Sequence, residues 1–400
     1  MKESSLDSST NRSKATSSAW PLASVCLFAW ALATTYTNHA PLIPVFIEEL
    51  GFSATEAGIL TLAFFLCLAA ASLPAGILSD RLGPKNICTF GLTIVFISNA
   101  GLGWAYSFEQ FMLLKAIGGF GAGLGFIAGV RYVTVVFRTG RIFLAQGLYG
   151  GCIQLGAGTS LYVMPILFQS LNMSGAFFVS SGLIAITLVF WILVAPDRRV
   201  QLTSTSWSLA MGSRTVWVLT FAHTGTFGLA MLVGTWITAF LYQDLGLSLS
   251  TAGSLGSVVL ISGILARPAG GFIIDQGWIA SRTMIRVSLL SGTLGLALLA
   301  LPDRPIWEAL FGLILIGFAF SLPYSAVMNS ATASFPESPG SAVGIVGGFS
   351  LILIALGAPA MGALYAQTAN FQLAFGLLSV VSLLIFLLTC LIPQHEKLNM

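Results

Sequence analysis

The string "ELGFSATEAGIL", Glu49 to Leu60, returns 195 residues further on as "DLGLSLSTAGSL", Asp244 to Leu255. The alignment needs no gap and runs on, with Ala71, Gly76 and Asp80 recurring as Ala266, Gly271 and Asp275. A second echo, at an offset of 199, pairs Glu109, Ile117 and Gly118 with Glu308, Ile316 and Gly317. Each repeated string borders long apolar runs, so the chain reads as two related halves built from the same kind of segment.

Those segments are membrane helices. A soluble domain is about a quarter charged, whereas here 8% of 400 residues are charged and 56% hydrophobic. A helix needs ~20 residues to cross a ~30 Å hydrocarbon core. Cutting at charged and turn-forming clusters leaves twelve such spans: 20–47, 56–79, 86–106, 109–137, 142–169, 175–195, 214–242, 250–274, 283–301, 306–334, 340–365 and 371–393. The expected fold is therefore an all-α membrane protein, with twelve transmembrane helices in two pseudo-symmetric six-helix bundles, 20–195 and 214–393. Residues 196–213, the one long polar interruption, form the linker. Residues 1–19, rich in Ser and Thr, are expected to be a disordered cytoplasmic tail, and 394–400 a second tail.

Basic residues accumulate in short cytoplasmic loops. With the N-terminus inside, thirteen Lys and Arg residues fall on the cytoplasmic side and only Arg304 outside. Both termini are thus expected in the cytoplasm, in a multi-pass protein of the cell (inner) membrane. The net charge of +3 then reflects topology in the lipid bilayer, and no nucleic-acid partner is expected. The five cysteines lie in the spans, odd in number and without C-x-x-C spacing. They read as small buried apolar residues, with no metal or cofactor implied. A monomer is expected.

"GILSDRLGPKN", Gly76 to Asn86, resembles the loop signature of the major facilitator superfamily between its second and third helices. A degenerate copy, "GFIIDQG", stands at the equivalent place after the eighth span, Gly271 to Gly277. "KAIGGFGAG", Lys115 to Gly123, is similar to the superfamily's fourth-helix motif, with Lys115 where Arg is usual. The resemblance implies the fold and solute transport by alternating access. It also implies a conformational role for Gly76, Asp80, Arg81, Gly83, Lys85 and Asp275, with Asp80 pairing Arg138 to hold the cytoplasmic side shut. The second copy departs from the signature at Gln276 and Trp278, and the first carries Pro84 where a base is frequent.

Three bases, Lys115, Arg131 and Arg267, lie inside spans. Arg267 is 17 residues from Ser250 and 8 from Asp275, or roughly 25 Å and 12 Å from the two ends of its helix. An Arg at such depth costs at least ~2.5 kcal/mol and normally faces a cavity or a partner. Arg131 is near enough to Arg138 to snorkel toward the headgroups, so function and packing both remain open for it. None of the 14 acidic residues lies in the middle of a span. A negatively charged solute would supply the missing partner, and the planar guanidinium suits a carboxylate. The local "ARPAGG", Ala266 to Gly271, is similar to the Arg-Pro segment of monocarboxylate and oxalate transporters and of nitrate porters. Nitrate porters carry a second Arg on helix 2, where this repeat has Ser72, which leaves the carboxylate reading ahead.

Further candidates for substrate contact are polar groups on spans that line the pathway in this fold: Tyr36, Asn38 and His39 beside Pro41 and Pro44, His223, and Tyr324 and Asn329 beside Pro323. A proton could ride on His39, His223 or Glu56, whereas anion exchange needs no carrier. The leading expectation is a secondary or exchange transporter of a small organic anion working by rocker-switch motion. Efflux of drugs or metabolites is the alternative. A membrane receptor or enzyme is remote, since no phosphate loop, metal cluster or paired catalytic carboxylates are found.

Overall fold

The computed structural model describes residues 7–137, 142–198, 211–302, 304–334 and 339–390, which form helices and, among the described residues, no strand. α1 (Asp7–Thr37), a 3₁₀ turn (Ala40–Leu42) and α2 (Ile43–Glu48) make the first span, interrupted where Pro41 and Pro44 remove backbone donors. α3 (Ala54–Leu82), α4 (Pro84–Leu102) and α5 (Phe108–Val136) follow. α6 (Ile142–Val194) covers the fifth and sixth expected spans and is broken at Asn172, whose φ of 59° suits a short polar side chain. The second half contains α7 (Arg214–His223), a π turn (Thr224–Gly228) and α8 (Leu229–Gln243), then α9 (Leu249–Ile261) and α10 (Gly263–Asp275). α11 (Ser281–Leu299), α12 (Ile306–Ser321), α13 (Tyr324–Ser334), α14 (Pro339–Thr368) and α15 (Gln372–Thr389) complete it.

Among the described residues nine helices are long and apolar enough to cross a membrane, and one of them, Ala145–Val194, runs for 50 residues through the break at Asn172. Large apolar side chains such as Ile186, Leu193, Leu265 and Phe311 stand exposed, as a lipid-facing surface requires. α1 begins at Asp7.

The sequence repeat is a repeat of geometry. Gly51 and Gly246 both take positive φ, 70° and 66°, a conformation that favours glycine. The flanking turns match bond for bond. Glu49 N donates to Val45 O at 2.8 Å and Asp244 N to Phe240 O at 3.0 Å; Phe52 N donates to Phe46 O at 3.0 Å and Leu247 N to Leu241 O at 3.2 Å. Ser53 and Ser248 then cap α3 and α9 through Glu56 N and Thr251 N.

The halves meet along two seams, α3 against α14 and α6 against α9 and α10. At the end bearing Glu48 and Asp244 the backbones touch. A Cβ on Gly58 would lie 2.5 Å from Ala358 O, and one on its repeat mate Gly253 would lie 2.5 Å from Leu161 O. Tyr242 donates to Glu48 across the halves at 3.2 Å. Toward the linker end, a Cβ on Gly147 or Gly348 would meet open space.

Candidate functional site

Two buried bases organise the interior, and their surroundings differ. α1 stops at Thr37, so the carbonyls of its last turn lack helical partners. Lys115 on α5 takes up that end. Its ammonium donates to Thr35 O at 2.7 Å and to Asn38 Oδ1 at 3.0 Å, and it lies 4.4 Å over the Phe64 ring. A cation is favoured at a helix C-terminus. Asn38 in turn donates to Asn99 Oδ1 at 2.6 Å, and Asn99 to Ser181 Oγ at 2.8 Å. His39 Nε2 lies 2.7 Å from Thr61 Oγ1. Asn38 and His39 thus anchor the broken first span to its own half, and Lys115 is the centre of that anchor.

Arg267 sits on the seam between the halves, 2% exposed. Its Nη1 donates to Gly150 O of α6 at 2.5 Å, and its guanidinium lies 4.1 Å from the Tyr324 ring centre and 5.6 Å from that of Phe227. A ring face offsets part of the cost of burying a cation. His223 stacks on Phe227 at 5.2 Å and lies 6.1 Å from Tyr324. Tyr36, in the other half, is fully buried against Phe64 and Phe65 with no partner for its hydroxyl. Arg267, Tyr324 and His223 are therefore brought together. Arg267 Nε is left without a hydrogen-bond partner, and among the described residues no carboxylate forms an ion pair with it.

Three of the spans around Arg267 change their helical hydrogen bonding nearby: α9 gives way to α10 at Ser262, α12 to α13 at Leu322 and Pro323, and the π turn of the seventh span begins next to His223. Ser262 and Leu322 keep right-handed helical backbone angles, and α6, which supplies Gly150, has its break at Asn172. Pro323 makes one of these junctions legible from sequence. The junction at Ser262 and the π turn carry no such mark. Gln154 and Ser321, a hydrogen-bonded pair at 3.2 Å beside these junctions, carry no signal in the sequence either.

The remaining candidates fall elsewhere. Asn329 is half-buried on α13 and takes no part in the described contacts around Arg267. Arg131 is half-buried near the linker end of α5 and has an interaction of its own. Glu56 closes a capping box, accepting from Ser53 N and Ser53 Oγ at 2.8 Å each, which gives its carboxylate a structural task. Of the gating candidates, Gly83 joins α3 to α4 at φ 86°, Arg81 is exposed, and a Cβ on Gly76 would lie 4.0 Å from Ile127. Lys85 donates to Ile192 O at 3.0 Å in the last turn of α6, a carbonyl end that favours a cation. Arg138 lies outside the described residues, as do the side chains of Asp80 and Asp275, and with them the expected Asp80–Arg138 pair.

An all-helical multi-pass membrane protein with an unneutralised base on the seam between related halves is the class that these features define. A family model described as the Major Facilitator Superfamily matches residues 25–347, and the chain belongs to that superfamily. It is 24% identical to the probable L-galactonate transporter of Escherichia coli strain K12, over 82% of this chain and 78% of that protein. It is 25% identical to the high affinity nitrate transporter 2.7 of Arabidopsis thaliana, over 84% and 74%. It is also 23% identical to the quinolone resistance protein NorA of Staphylococcus aureus strain MRSA252, over 79% and 81%.

Proposed function

We propose that this protein is a secondary or exchange transporter of a small organic anion, with Arg267 as the anchor for the solute's carboxylate. The observation that carries the reading is the state of Arg267: buried between the halves, held by one carbonyl and two ring faces, with Nε unpartnered. A permanent cation in that setting is completed by an anion that arrives and leaves. Two of the three relatives described above are named for anionic solutes, galactonate and nitrate, which agrees with this reading.

In this account residues 20–195 and 214–393 rock as two six-helix bundles about the seam, and 196–213 tether them on the cytoplasmic side, with both termini in the cytoplasm of a cell-membrane protein that works as a monomer. Asp80, with Arg138, would hold the linker end shut in the opposite state. The protein catalyses no covalent chemistry. Efflux of drugs or metabolites is the competing reading, favoured by the likeness to NorA.

Counterflow in proteoliposomes tests the proposal. Vesicles preloaded with one carboxylate should accumulate the labelled compound, and Arg267→Lys, which keeps the charge and loses the planar fork, should abolish accumulation in protein that still purifies folded. Counterflow of lipophilic cations but of no carboxylate would overturn it in favour of efflux.

A further inference from the structure

Arg267 is one level of a two-level arrangement. Gly150 and Gln154 on α6, Arg267 and Gly263 on α10, and Tyr324 and Ser321 on the tenth span are each separated by three or four residues. Each pair thus stacks along one face of its helix. One level joins Gly150 O, Arg267 and Tyr324. About one turn away, ~5.4 Å, the second joins Gln154, Gly263 and Ser321. Ser321 Oγ donates to Gln154 Oε1 at 3.2 Å, and the Gln154 side chain occupies the space that a Cβ on Gly263 would need. Gln154 is fully buried, and its Nε2 has no partner. Leaving a buried amide donor unmade costs free energy. Like Arg267 Nε, it is an unfilled donor, beside the junctions of α9 with α10 and of α12 with α13.

We propose that Gln154 is a second solute contact, which with Arg267 selects a monocarboxylate carrying an uncharged oxygen, hydroxyl or keto, a few ångströms from its carboxylate. This rests on the reading of Arg267 as the carboxylate anchor. Ser321 fixes which end of the amide faces the helix, so the free end is the NH₂, a donor that pairs with a neutral oxygen. A second carboxylate would need a second cation at this depth, and the other bases inside the spans stand elsewhere. Lys115 is 7 residues from the start of α5 at Phe108, whereas Arg267 is 18 from the start of α9 at Leu249, which separates them by roughly 15 Å in depth. Lys115 is also already engaged by Thr35 O and Asn38 Oδ1. Arg131 lies 5 residues from the linker end of α5 at Val136, nearer that end than Arg267 is to Asp275.

The test is a comparison of apparent affinities, read from thermal stabilisation of the purified full-length protein, for propionate, lactate, pyruvate and malonate. In the wild type, lactate or pyruvate should bind about tenfold better than propionate, the factor that one hydrogen bond supplies, and malonate should bind no better than propionate. In Gln154→Met, similar in length but without donors, that preference should fall to about one while propionate binding persists. Ser321→Ala leaves the amide in place without its orienting donor. It covers the case in which Gln154→Met does not fold, and it should reduce the preference by a smaller factor. Equal binding of propionate and lactate by the wild type, or a preference unchanged in a folded variant, would overturn the inference and leave Arg267 as the anchor. If no carboxylate binds the wild type at all, the functional reading itself fails.

Discussion

The backbone contacts at Gly58 and Gly253 make the closed end of the molecule a place where one methyl group has a calculable effect. In Gly58→Ala the new Cβ would stand 2.5 Å from Ala358 O, and in Gly253→Ala 2.5 Å from Leu161 O, against 3.4 Å or more for ordinary contact. Both neighbours are main-chain oxygens, so no rotamer change relieves the overlap and the seam must part by about an ångström. Overpacking of this kind costs ~1–3 kcal/mol. The cost falls only on the state in which this end is shut. Each substitution should therefore favour opening of that end by roughly 5- to 150-fold. The readout is labelling of Ser257→Cys, 3% exposed and one turn beyond Gly253 on α9, by an impermeant maleimide in a cysteine-free background. Labelling from the Glu48 and Asp244 side should accelerate by a factor in that range. Gly182→Ala, where a Cβ meets nothing within 4 Å, should leave it unchanged. Wild-type labelling rates in both seam variants would refute the claim that these glycines seal the closed state.

Lys115→Met should lower thermal stability by an amount equivalent to ~1–3 kcal/mol, since two acceptors lose a charged donor, while affinity for a bound carboxylate stays within about twofold; a large affinity loss at wild-type stability would place Lys115 in the solute site instead. Asp244 lies outside the membrane spans. Burial pushes its carboxyl above the ordinary range, against the opposing pull of the Phe371 N–H and the Arg304 guanidinium, whose Nη2 lies 3.8 Å away. A carboxyl whose folded-state pKa is raised contributes stability that is present below its unfolded pKa and is lost as pH rises through the folded value. The melting temperature of Asp244→Asn relative to wild type should therefore be more favourable at pH 7 than at pH 4, and a pH-independent difference would contradict the assignment.

The fold was legible because it rests on composition and on a repeat. Apolar runs can satisfy their backbones in a membrane only as helices or closed barrels, and Gly51 and Gly246 mark the same positive-φ turn in both halves. Arg267 was legible for an energetic reason, as a charge too deep to leave unpaired. What the sequence concealed were groups whose meaning depends on neighbours far along the chain. Lys115 is visible as a buried base, but its acceptors, Thr35 O and Asn38, are 80 and 77 residues away. Gln154 is one polar residue among glycines, and its role appears only once α10 and α12 lie beside it. The prolines that end α1 leave carbonyls to be capped, and Asn38 and His39 beside Pro41 help hold that end.

If Arg267 awaits an anion, equilibrium binding reveals it without any assumption about coupling or direction of flux. Thermal unfolding of the purified protein would be followed with carboxylates, inorganic oxyanions, neutral sugars and lipophilic cations, because a ligand that binds the folded state raises its apparent stability, by ~2.7 kcal/mol at a hundred times Kd. Carboxylates should stabilise the wild type and not Arg267→Lys, whose unliganded melting temperature should remain close to wild type. Stabilisation confined to neutral or cationic compounds, or carboxylate stabilisation of equal size in Arg267→Lys, would contradict an anchor role for Arg267.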